Sequence, residues 1–222
     1  DLVAARRQMI EQQVRAWEVL DLGVLSVMER VPREEFAPAP YRELAFADLC
    51  VPLGHGQSML APNLEGRILQ ALAVQADDRV LEVGTGSGYF AACLGGLARS
   101  VRSLEIFADL ADAARDNLAR TGANNVTVEV MDAMTFEGDG GYDVIALTGS
   151  LPVYDPRFER ALADDLVGDV HVAAARVARL GDLEFPCRVP RRRGQAESRR
   201  RHVAAPDGSL TWKYDSALRD GS

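Results

Sequence analysis

Two glycine-rich stretches carry the residue types that could do chemistry: "GHGQSMLAP", Gly54 to Pro62, and "LEVGTGSGY", Leu81 to Tyr89. In the second, glycines at 84, 86 and 88 follow one apolar run and lead into another. Glycine permits a tight turn and close approach to a ligand, and the amides that open a helix receive an anion. A dinucleotide fingerprint would read GxGxxG around a pyrophosphate. Here the spacing is GxGxG, with Glu82 two residues ahead of the first glycine. That arrangement suits S-adenosylmethionine, whose methionine end offers a carboxylate and an ammonium. The loop Gly84, Thr85, Gly86, Ser87 and Gly88 is expected to serve the carboxylate with its amides. Glu82 is expected to attract the ammonium, or the loop that contacts it.

Two further acids fall where such a ligand would extend. The next apolar run ends at Glu105, about twenty residues on, followed by Ile106; an acid there can accept both ribose hydroxyls. The run after that ends in Met131-Asp132-Ala133, where an acid can reach an adenine amino group. In sheets of this type ligands lie outside the carboxyl ends of the strands, and all three sets of residues fall at such ends. No metal is expected, because the three histidines (His55, His171, His202) and three cysteines (Cys50, Cys93, Cys187) are scattered without ligand spacing.

The elements that must position these residues follow from periodicity. "RVLEVG", "SVRSLEI", "NVTVEVMD" and "YDVIALTG" read as short strands, with helices "YFAACLGGLA" and "LADAARDNLARTG" between the first three. Strands and helices alternating at this interval predict an α/β domain: a doubly wound, mostly parallel sheet with helices on both faces. Gly122 is expected to end the second helix. Upstream, residues 4–30 carry helical spacing, with Met9, Val14, Trp17 and Leu20 as expected core contacts and an interruption at Asp21 and Gly23. "PREEFAPAPY" breaks the pattern, and Pro62 to Val74 returns to it with Leu64, Ile68, Leu69 and Leu72 on one side. Residues 1–61 are therefore expected to hold a helical cap together with the first glycine stretch. Residues 1–185 are expected to form a single domain, followed by an atypical arginine-rich tail over 186–222.

Composition bounds the partners. The 222 residues are 47% hydrophobic and 26% charged, as in ordinary globular chains. No apolar run approaches the ~18 residues that span a membrane, so the cytoplasm is the expected compartment; a monomer is expected. Net charge is −8, which repels nucleic acid and anionic membranes. Against that balance, Arg188 to His202 holds seven arginines and one acid. Without interleaved aromatics it reads as a solvated, poorly ordered arm rather than a polyanion-binding strip.

Beyond these local signals the chain resembles the protein-L-isoaspartate O-methyltransferase family. The resemblance rests on "RQMIEQQVRAWEVLDLGVLSVMERVPREEFAP", "YRELAFADLCVPLGHGQSM", "VLEVGTGSGYFAACL" and "YDVIALTGSLP", and covers roughly the first 160 residues. It implies a Rossmann-like methyltransferase with S-adenosylmethionine as methyl donor. The acceptor it implies is the free carboxylate of isoaspartyl residues in damaged proteins or peptides. It also implies a substrate loop at "GHGQSMLAP", with Gln57 and Ser58 as substrate contacts, Ser58 supplying the catalytic hydroxyl, and Thr148 at the cleft edge.

The family loop reads like G-Q-T-I-S-x-P, so Leu60 stands where the resemblance places the serine assigned to catalysis. A leucine donates no hydrogen bond, and a buried carboxylate oxygen left unsatisfied costs about 1–3 kcal/mol. "TGSLP" replaces the small alanines that follow the fourth strand. After "FERALA" the family's glycine-turn strand gives way to "DDLVGDVHVAAARV", either a substitute strand or a shifted reading of the tail. Two other readings follow: a cofactor-binding protein without repair catalysis, and a methyltransferase for another carboxylate or for tRNA.

Overall fold

A strand buried on both faces reads as an unbroken apolar run, and Val144–Leu147 is one; all four of its residues are buried. In the computed structural model it is β6 of a five-stranded parallel sheet. The structure describes residues 2–138, 140–149, 155 and 157–162, with the strand backbones at 177–179, 201–204 and 210–213. The sheet comprises β3 (Arg79–Val83), β4 (Ser100–Glu105), β5 (Val126–Val130), β6 and β7 (Val177–Arg179), in the order β5-β4-β3-β6-β7. Register pairs Val83 with Leu104 and with Leu147, and Glu105 with Val130. The carboxyl ends of four strands are thereby level, which brings Gly84, Glu105, Met131 and Thr148 to one edge.

Each face has its own core. Val80, Val101, Val144 and Ala146 meet α3 (Pro62–Leu72), α4 (Tyr89–Gly95) and α5 (Ala108–Thr121) on one side. Leu81, Val83, Leu104, Ile145 and Leu147 meet Phe136, Tyr142 and Phe158 of α6 (Arg157–Arg160) on the other. Helix α5 buries Leu110, Ala111, Ala114 and Leu118, a stripe at the helical period, and ends at Gly122 with φ 76°.

The leader is α1 (Leu2–Met9), a π turn (Ile10–Val14), a 3₁₀ turn (Arg15–Trp17) and α2 (Leu22–Arg30). Met9 and Val14 are core residues, as the spacing predicts, but Leu20 is 65% exposed and Val19 is buried in its place. The helix ends early: Glu18 adopts left-handed φ 61°, so an α-helical wheel no longer assigns faces beyond Trp17. Asp21 does not merely interrupt; its carboxylate accepts the Val24 amide at 2.9 Å and caps α2. The leader's core residues merge with those of α3 and α4 in one cluster. The cap is thus part of the sheet's own core.

Between cap and sheet lies a hairpin, β1 (Val51–Gly54) with β2 (Gln57–Met59), paired Val51↔Met59 and Pro52↔Ser58. A second hairpin joins Arg201–Ala204 (β8) to Leu210–Lys213 (β9). The remainder of the expected tail, including Arg188–Arg200, the expected boundary at 185, and the stretch 163–176 lie outside the described residues. Among the described residues no helix is long and apolar enough to cross a membrane.

Candidate functional site

The glycine turn follows β3 and packs directly on the residues that leave β6. Gly84 has φ 101°, and a Cβ built on it would lie 2.4 Å from the Gly149 amide nitrogen, so no larger residue fits there. Its own amide donates to the Leu104 carbonyl at 2.8 Å. Thr148 closes the turn from β6, donating its hydroxyl toward the Val83 and Gly84 carbonyls, both at 3.1 Å. That hydroxyl is therefore committed to the backbone.

Glu105 is nearly buried, and its carboxylate bridges the turn to α5: Oε2 accepts the Gly86 amide at 2.8 Å and Oε1 the Phe107 amide at 3.1 Å. A carboxylate offers roughly four acceptor sites, so two are left for hydroxyls of a ligand. Ile106 beside it is 56% exposed, an apolar surface at the strand end. Asp132 accepts the Met134 amide at 2.9 Å and caps the 3₁₀ turn Ala133–Thr135, with Ala133 buried beneath it.

Glu82 goes elsewhere. Strand alternation turns it into the core on the α4 side, fully buried and away from the cavity at the glycine turn. Ser103 donates to its Oε2, Thr85 is tied to Ser103 at 2.5 Å, and Oε1 has no hydrogen-bond partner. It supports the turn from behind through Thr85 rather than facing a ligand. Burial pushes its carboxyl up to about 8 from 4.5, with Ser103 pulling the other way and Glu105 and Glu65 adding to the rise. Between those two values the folded protein holds a proton that the unfolded chain has released. Stability conferred by this group is thus intact below pH 4.5 and falls as pH rises to about 8, by up to ~1.4 kcal/mol per pH unit. Melting wild type and Glu82→Gln at several pH values across that window should show a steeper fall in Tm for wild type. Parallel curves would refute the assignment.

The hairpin roofs the glycine turn. Leu53, Ser58, Met59 and Leu60 line a cavity whose other walls are Gly84, Thr85, Gly86, Ser87, Phe90 and Thr148. Met59 is buried in the core, whereas Ser58 and Leu60 are half-buried. Gln57 is exposed at the tip, donates to the His55 carbonyl at 3.3 Å, and does not border the cavity. His55 braces that tip. It sits at left-handed φ 50°, stacks on Phe107 with centroids 4.2 Å apart, and places Nε2 2.9 Å from Asp109 at the start of α5. His55 in turn holds the Asp109 carboxyl below its ordinary range.

One further residue of this wall escaped sequence reasoning. Glu65, in the first turn of α3, lines the cavity and is 1% exposed. It pairs with Arg33, which is fully buried, donates to the Ala45 and Leu60 carbonyls, and stacks 4.7 Å over the Tyr89 ring. A charged residue in a proline-broken leader reads as surface, and only the packed structure reveals it inside. Burial raises the Glu65 carboxyl to about 7, against the pull of Arg33.

A glycine turn between parallel strand and helix, acids at the next two strand ends and a hairpin roof define a Rossmann-like, S-adenosylmethionine-dependent methyltransferase. Residues 4–164 match the model of the protein-L-isoaspartate(D-aspartate) O-methyltransferase family. The chain belongs to that family. Among its relatives, the protein-L-isoaspartate O-methyltransferase of Methanoculleus marisnigri is 40% identical over 148 residues, 66% of this chain and 67% of that one. The enzyme of that name from Koribacter versatilis is 39% identical over 160 residues, 72% of each chain. A Plasmodium falciparum protein described as a protein-L-isoaspartate O-methyltransferase, crystallised with S-adenosyl-L-homocysteine, shares the fold. It superposes with a TM-score of 0.61 at 20% identity, covering 71% of this chain and 79% of that one.

Proposed function

We propose that the protein methylates the free carboxylate of isoaspartyl residues in damaged proteins, with S-adenosylmethionine as donor. The observation that carries this reading is the cavity in which the family's substrate loop meets the glycine turn. The donor fits this chain's residues: the glycine turn borders the cavity from Gly84 to Ser87, held in place by the close approach of Gly84 to Gly149, and Glu105 is fixed by two amides with acceptor sites to spare. When bound, S-adenosylmethionine supplies an activated methyl group. No general base is needed, because a carboxylate with an ordinary pKa near about 4 is already ionised at neutral pH. The protein's work is then to hold the acceptor oxygen in line and to exclude water.

Hydroxyl donors for that oxygen are few. Thr148 and Thr85 are tied to the backbone and to Ser103, which leaves Ser58 and Ser87 on the cavity wall. Leu60 supplies none. Restoring a hydroxyl with Leu60→Ser should raise isoaspartyl methylation roughly 5- to 150-fold, the rate equivalent of about 1–3 kcal/mol. The assay is methyl-ester formation on an isoaspartyl peptide from methyl-labelled donor, wild type and variant side by side. Donor binding without ester formation by either protein would reject the repair reading. A second reading, a donor-binding protein without turnover, is favoured by Leu60 itself; its signature is activity only in Leu60→Ser.

A further inference from the structure

The cavity between substrate loop and glycine turn has a charge asymmetry that the proposed reaction does not require. Among the described residues on its wall, Glu65 is the only ionisable one. Its partner Arg33 does not border the cavity: the guanidinium lies behind the carboxylate, held by the Ala45 and Leu60 carbonyls and the Tyr89 ring. The pair is thus an oriented dipole with its negative end on the cavity side, where the proposed function puts the donor's methyl and the acceptor. Both partners are shielded from bulk solvent, Glu65 being 1% exposed and Arg33 fully buried, so screening is weak.

We propose that Glu65 sets the charge preference of this cavity, favouring the cationic sulfonium of the methyl donor over the neutral thioether left after transfer. In the transfer the acceptor oxygen forms a bond to the methyl carbon while the carbon–sulfur bond breaks. Its electron pair stays on sulfur, so the positive charge disappears. Above a pH of about 7, the value to which burial raises it, the Glu65 carboxyl is ionised, and beside that sulfur it holds S-adenosylmethionine and releases S-adenosylhomocysteine. Glu65 is thereby a specificity residue for donor against product. This rests on the donor assignment made above.

Binding measured by calorimetry on the full chain tests it with three ligands: S-adenosylmethionine, S-adenosylhomocysteine, and an analogue bearing an ammonium in place of the sulfonium. In Glu65→Gln the two cations should bind roughly tenfold more weakly, the scale of one partly offset charge contact, while the homocysteine product changes less than twofold. Because Glu65→Gln leaves Arg33 buried alone, the double variant Arg33→Met/Glu65→Leu is measured beside it and should show the same selective loss. Equal weakening of all three ligands, or no change in either variant, overturns the proposal while leaving the donor assignment intact. Failure of wild type to bind any of the three overturns both.

Discussion

Replacing Arg33 by methionine is expected to cost about 3–5 kcal/mol of folding stability, the penalty for stripping one partner from a buried ion pair. Arg33 is fully buried, and Glu65 would be left without its counter-charge. The loss has a pH signature. Glu65 already sits near 7 through burial, with Arg33 opposing that rise, so removing the arginine lifts it further. A carboxyl with a raised folded pKa favours the folded state when protonated. The destabilisation should therefore be smaller at pH 6 than at pH 8.5, where the lone carboxylate must stay charged or take up a proton. Urea unfolding at the two pH values checks this. Arg33→Met/Glu65→Leu should recover most of the stability, because two apolar side chains of similar volume replace the pair at little cost. Equal loss in single and double variants would mean that the Ala45 and Leu60 carbonyls and the Tyr89 ring, not the pairing with Glu65, account for the arginine's worth. In the double variant the Leu60 carbonyl also loses its donor, so the substrate loop is freed even where stability returns.

Gly84→Ala is expected to abolish donor binding within a calorimetric range of at least about a hundredfold, a second large effect of a single methyl group. The new Cβ would lie 2.4 Å from the Gly149 nitrogen and 2.6 Å from its Cα, both backbone atoms, at φ 101°. Neither neighbour can rotate away as a side chain would, so β6 must separate from β3 or the turn must reform. Backbone strain of that kind costs on the order of 1–3 kcal/mol by itself, before the ligand contacts are counted. Gly122→Ala is the control: its φ is also positive, at 76°, but its Cβ would meet nothing within 4 Å. It should lower stability by about 1 kcal/mol and leave donor binding unchanged. If both variants bind alike, the close approach at Gly84 does not shape the site.

Much of this architecture is legible along the chain because it depends on local order. Apolar runs and helical stripes fixed the strands and α5, and a C-cap glycine closed the latter where expected. Glycine spacing located the turn, and acids at the ends of successive strands necessarily came together once those strands ran parallel. The same logic failed where a side chain's direction mattered. Glu82 follows Leu81 by one residue, and that step of strand alternation turns it to the opposite face, behind the turn instead of into it. Gln57 misses the cavity for another reason: it sits at the exposed tip of the hairpin, beyond the part that covers the glycine turn.

By itself, then, the sequence determined the fold class, the family, the glycine turn and the odd leucine at position 60. All of these are properties of residues close in the chain or at regular intervals along it. Tertiary structure alone decided which acid borders the cavity. Arg33 and Glu65 are 32 residues apart and belong to different elements. They meet only because the cap and α3 share one core with the sheet. A charge is cheap on the surface and costly inside, so its role depends on where packing leaves it, and no local pattern records that.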